Sequence, residues 1–170
     1  MSDVIINKVA ESGLITLNLE LFYPKEEIIE IDLKDFLFME LILKEQDFRQ
    51  KLKELDKELF KNKIVAIKCT ADAIIPVWAY MLITTTLLET ASTVILGEKE
   101  KVIKKRLLQN IQKINVEEYR DKRVVIKGCG ETPIPEEAYL EATKQLFPLV
   151  KSIMYGEPCS TVPIYKKAIK

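Results

Sequence analysis

The chain contains no histidine and three cysteines, Cys69, Cys129 and Cys159. Without imidazole, Ser-His-Asp and Cys-His catalysis are excluded, and any acid–base work falls to carboxylates, Lys, Tyr or Cys. Cys69 and Cys129 each fall just past a short apolar run, with an acid close behind, Asp72 and Glu131 respectively. Cys159 lies in Gly156-Glu157-Pro158-Cys159, a rigid turn that a merely buried cysteine does not need. Thiolates suit zinc or an iron–sulfur cluster, and Asp or Glu can complete the coordination. Cys69, Cys129 and Cys159, with Asp72 and Glu131, are therefore candidate metal ligands. No Cys-x-x-Cys pair exists, so this reading rests on placement alone. The plainer alternative is three buried or half-buried side chains, because free cysteine is among the most buried residue types.

The same loops offer a second chemistry. Gly128-Cys129-Gly130 stands ahead of a helix start, where backbone N–H groups and the macrodipole favour an anion. Ser160 and Thr161 would add hydroxyl donors, so Gly128, Gly130, Ser160 and Thr161 are candidate contacts to a small anionic ligand. Glu131, Glu136 and Glu137 oppose a highly charged phosphate, and one Gly-Cys-Gly is far less specific than a P-loop.

A duplicated unit must position these residues. Residues 58–87 and 117–146 align without a gap, and 11 of the 30 positions are identical, among them Lys63/Lys122, Ile67/Ile126, Pro76/Pro135 and Tyr80/Tyr139. Each copy spells a buried strand, a tight loop and a helix entered through proline, which is tolerated in the first turn. Upstream, Leu17, Leu19 and Leu21 alternate with Thr16, Asn18 and Glu20, and Ile29, Ile31 and Leu33 alternate again after the turn at Phe22-Tyr23-Pro24-Lys25. This pattern predicts an N-terminal antiparallel hairpin. Helical spacing follows over residues 35–59, broken near Lys44, with Asp47 expected to cap a second helix. Further elements are expected as a helix at 73–91, a short strand at 94–97 and an amphipathic helix at 98–112. The second copy then predicts a strand at 123–127 and a helix at 135–155 closed by Gly156. The fold class is thus α/β: a single layered domain over residues 1–170, with a mixed sheet and parallel core strands.

Between Asp72 and Glu98 only Glu89 is charged. A run this apolar raises the question of a membrane span, but Pro76 and a cluster of Thr and Ser residues oppose it. A helix apolar on nearly all faces is otherwise a central buried helix or an oligomer interface, here built around Trp78. Lys plus Arg equals Asp plus Glu at 26 each, so no net field draws the protein to nucleic acid or to an anionic membrane. The opening residues lack a basic leader followed by an apolar core, and the cysteine count is odd, so a cytoplasmic protein is expected.

Several phrases are distinctive together: Ile31-Asp32-Leu33-Lys34-Asp35-Phe36, Leu43-Lys44-Glu45-Gln46-Asp47-Phe48-Arg49, Asp72-Ala73-Ile74-Ile75-Pro76-Val77-Trp78 and Gly156-Glu157-Pro158-Cys159-Ser160-Thr161. On them the chain resembles, over nearly its full length, domain-of-unknown-function family 2480 of Bacteroidetes-type bacteria. The resemblance implies a short cytosolic protein and carries no residue assignments. Three functional expectations stand. The first is an accessory protein that transiently handles a metal, an iron–sulfur cluster or sulfur through its thiols. The second is a non-catalytic interaction module, a homodimer or a partner-docking protein. The third is an enzyme or binder acting at the 128–130 loop. The balance leans away from an enzyme.

Overall fold

The apolar runs of the sequence become seven strands in the computed structural model, which describes residues 13–128 and 130–168. They are β1 (Leu14–Asn18), β2 (Ile28–Asp32), β3 (Ile64–Lys68), β4 (Thr93–Leu96), β5 (Arg123–Lys127), β6 (Ser152–Glu157) and β7 (Ser160–Lys166). The helices are α1 (Glu45–Glu54), α2 (Val77–Leu87), α3 (Lys99–Ile111) and α4 (Glu136–Leu146). The chain divides into two compact units, an inserted unit of Pro24–Ile103 and a split unit built from the residues on either side of it.

In the inserted unit β2, β3 and β4 form a three-stranded parallel sheet in that order. One face packs Ile31, Val65 and Ile67 against Ala79, Ile83 and Leu87 of α2 and Phe48 and Leu52 of α1. The other face buries Ile64, Ala66 and Ile95 against Val102. In the split unit the order is β1-β5-β6-β7, parallel except for the antiparallel β6–β7 pair. Its core sets Leu17, Val124, Ile126 and Ile153 against Ala138, Ala142 and Leu146 of α4, with Leu107 and Ile111 of α3. The class is α/β with parallel core strands, as the alternation of strands and helices requires.

The expected N-terminal hairpin does not form. β1 pairs in parallel with β5, and β2 pairs in parallel with β3, in different sheets. Alternation identifies a strand but carries no information about its partner. Between the two strands the chain makes a 3₁₀ turn at Leu19–Phe22, capped by Asn18, which buries Leu19 instead of turning back. The antiparallel hairpin lies at the other end, in β6–β7.

The register shows that the duplication is wider than residues 58–87 and 117–146. Ile28 stands opposite Ile64, and Leu14 stands opposite Arg123, the counterpart of Ile64 in the second copy. β1 and its turn are therefore the counterpart of β2 and the turn Leu33–Phe36, which Asp32 caps as Asn18 caps the first. Both opening strands precede both repeat bodies along the chain, and each joins its own sheet.

Three helix boundaries differ from the sequence expectation. α1 covers only Glu45–Glu54, with Lys44 as its cap and Asp47 inside it. α2 starts at Val77, because Pro76 is extended and has no N–H to donate. α4 stops at Leu146, near Pro148, and the apolar residues beyond it enter β6. Gly156 is thus not a helix cap. It sits in β6 at φ +118°, where a Cβ would meet the Ser160 carbonyl oxygen across the hairpin at 2.6 Å.

Candidate functional site

Ligands of open α/β sheets gather beyond the carboxyl ends of the strands. In each unit an acidic side chain, at the end of the opening strand or in the turn after it, is hydrogen-bonded to the loop that follows the neighbouring strand. In the inserted unit Asp32 Oδ1 accepts the N–H groups of Lys34 and Thr70, each at 3.0 Å, and Oδ2 accepts the Thr70 hydroxyl at 2.6 Å. Burial alone would raise the Asp32 carboxyl. The Thr70 and Lys34 hydrogen bonds, with the nearby Lys68 ammonium, outweigh it and hold the group below the usual carboxylate range. Glu30, one pleat earlier, pairs with Lys68 at 3.2 Å and accepts the Lys99 N–H at 3.1 Å, and both lower its pKa.

In the split unit the Asp32 counterpart is Asn18, and the contact to the next loop comes instead from Glu20 two residues on, whose carboxylate accepts the Gly130 N–H at 2.5 Å. A Cβ on Gly130 would fall onto that carboxylate. Gly128 is buried for a different reason. A Cβ there would lie 2.7 Å from the Tyr139 hydroxyl and 3.1 Å from Ile134. Its counterpart in the other copy is Cys69, whose neighbour Tyr80 has its hydroxyl pKa raised by burial and then by the thiol. Each repeat tyrosine therefore reaches the first loop residue, and where the side chain there is absent the tyrosine hydroxyl approaches the backbone.

The candidate ligands fall as follows. Cys69 is half-buried in the inserted unit, its thiol 3.6 Å from the Ala71 carbonyl, and Asp72 in the same loop is exposed. Cys159 is exposed at the tip of the β6–β7 hairpin in the split unit, with Ser160 exposed beside it and Thr161 half-buried opposite Gly156. Glu131 is exposed in the loop after β5. Cys129 lies outside the described residues. Neighbouring strands β5 and β6 bring Gly128 and the Cys159 hairpin to one end of one sheet, where Lys127 and Glu157 form an ion pair at 3.1 Å. Among the described residues no group of three or more Cys, Asp or Glu side chains could hold a metal ion.

Trp78 is not the exposed feature of its helix. It packs edge-on to Phe48 at 5.9 Å in the inserted core. The exposed side chains are its neighbours Ile74 (93%), Val77 (74%), Met81 (65%) and Leu88 (52%). The sequence already held this sign, since a helix with no charge on its outer face must leave apolar residues in solvent or cover them. Among the described residues no helix is long and apolar enough to cross a membrane.

Fold and site together define a duplicated α/β protein with two sheets of parallel core strands, each clasped at its strand ends by its own acidic side chain. The family whose model matches residues 3–167 is described as protein of unknown function (DUF2480), and the chain belongs to it. Comparison with curated proteins and with solved structures gives no match.

Proposed function

We propose that the protein is a non-catalytic interaction module that pairs with a second copy of itself through the outer face of α2. The supporting observation is the stripe Ile74, Val77, Met81 and Leu88, all more than half exposed. With exposed Thr85 the stripe is symmetric about Met81, at spacings of seven and four residues on either side. Two such helices packed antiparallel across a two-fold axis at Met81 set Val77 against Thr85, with Leu88 just past the helix end and Ile74 in the extended segment before it at the margins of the contact, so the surface is complementary to itself. Thr85 and Thr86 donate their hydroxyls to the Leu82 carbonyl, at 2.8 and 3.0 Å, and bring no unmet donor to the contact. Glu89 is paired with Lys57 at 2.7 Å, which avoids a like-charge clash. Eight side chains would share the burial, at about 1–2 kcal/mol each for their exposed parts. That sum, about 8–16 kcal/mol, is of the same size as an association cost of roughly 4–15 kcal/mol, so the pairing is weak and concentration-dependent. An exposed free thiol at Cys159 suits a reducing cytoplasm, where we place the protein.

Sedimentation velocity from micromolar up to about millimolar protein tests the reading. The wild type is expected to pass from monomer to dimer, Met81→Lys to remain monomeric, and Leu140→Lys, at the repeat-equivalent position of α4, to behave as wild type. A monomer throughout, or a dimer indifferent to Met81→Lys, overturns it.

A further inference from the structure

Parallel sheets are ordinarily covered on both faces. The inserted sheet obeys this, with buried clusters on either side. In the split sheet one face carries the core with α3 and α4, and on the other, where Val125 is fully buried, a groove of about 880 Å³ remains along β6 and β7 that none of the three buried clusters of described residues fills. That volume falls within the roughly 300–1,000 Å³ of small-molecule sites.

The groove is polarised along the strands. By register, Leu14, Arg123, Ser152 and Lys166 form one row across the sheet at the amino-terminal end of its parallel strands, and Lys151 and Lys167 flank that row. Four cations, Arg123, Lys151, Lys166 and Lys167, thus stand at one end of the groove, opposed by the single carboxylate of Asp121. None of the four forms an ion pair among the described residues, in a chain whose total charges balance. Toward the other end the lining turns to Met154, Pro163, Thr161 and Pro158, with no charge. Six residues of strand separate Ser152 from Pro158, roughly 20 Å of groove.

We infer that this groove binds an amphipathic anion, a molecule with a carboxylate or phosphate head and an unbranched apolar body of medium length. The head lies among Arg123, Lys151, Lys166 and Lys167, and the body lies along Met154 and Pro163. The site belongs to the split unit and is independent of the α2 face in the inserted unit.

Isothermal titration with decanoate, decyl phosphate and the neutral decyl glucoside, each below its micellar concentration, tests the inference. At least one of the two anions is expected to bind with one site per chain, far more tightly than the glucoside, and the tighter one identifies the head group. Arg123→Gln/Lys166→Gln replaces two exposed side chains, and its fold is checked by thermal denaturation. It is expected to weaken the anion roughly tenfold, and added salt is expected to weaken wild-type binding. Saturable binding of neither anion, equal binding of the glucoside, or an unchanged affinity in the folded double variant overturns the assignment.

Discussion

Replacing Asp32 tests whether one carboxylate holds the end of β2 to the loop after β3. Its three accepted hydrogen bonds come from Lys34 N–H, Thr70 N–H and the Thr70 hydroxyl. Each such bond is worth roughly 0.5–1.5 kcal/mol net, and losing an Asp cap costs about 1 kcal/mol by itself. Asp32→Ala is therefore expected to destabilise the inserted unit by about 2–3 kcal/mol at neutral pH. Asp32→Asn keeps an oxygen for the two N–H groups, as Asn18 does for the Glu20 N–H at 3.1 Å in the split unit, and is expected to cost about 1 kcal/mol or less. The acid response separates the two variants. Because the folded carboxyl lies below its unfolded value, its contribution is complete above about pH 4 and is lost as pH falls through the folded value. The gap between wild type and Asp32→Asn must then close in acid, while Asp32→Ala stays weaker. Urea unfolding followed by fluorescence is the assay, since Trp78 is the sole tryptophan and sits in the inserted core. An alanine variant within about 0.5 kcal/mol of wild type at neutral pH, or an Asn gap of the same size in acid, would refute the reasoning.

Gly128→Ala is expected to lower stability by about 1–3 kcal/mol through overpacking against the Tyr139 hydroxyl, with partial recovery in Gly128→Ala/Tyr139→Phe by thermal denaturation. Gly130→Ala displaces the Glu20 carboxylate and loses its hydrogen bond, about 1 kcal/mol, which hydrogen exchange at residue 130 would register as faster opening. Ile83→Ala empties a fully buried position under α2 and should cost about 2–5 kcal/mol in the same Trp78-monitored unfolding.

Much of this architecture was legible in the residues. Short β-branched runs at 64–68 and 123–127, Pro76 and Pro135 at helix starts, and the repeat between 58–87 and 117–146 all express local preferences that survive in the fold. The repeat held more than was taken from it. Carried ten residues further, it sets Thr93–Leu96 against 152–155, and with Pro148 it marks β6 where helical spacing suggested more helix. The cysteines carry no such local signal: Cys69 belongs to the inserted unit and Cys159 to the split unit, and their residue type says nothing of whether they meet.

Composition and periodicity determined the class, the strands, the duplication and the uncharged helix, because each depends on neighbours within a few residues. Only the tertiary structure decided that β1 and β2 part company, that Glu20 meets Gly130, and that four cations gather at one end of a groove on the split sheet. Those outcomes depend on strand pairing between residues more than a hundred positions apart, such as Leu14 and Arg123. Pairing at that range is set by the burial of whole faces, which no local pattern encodes.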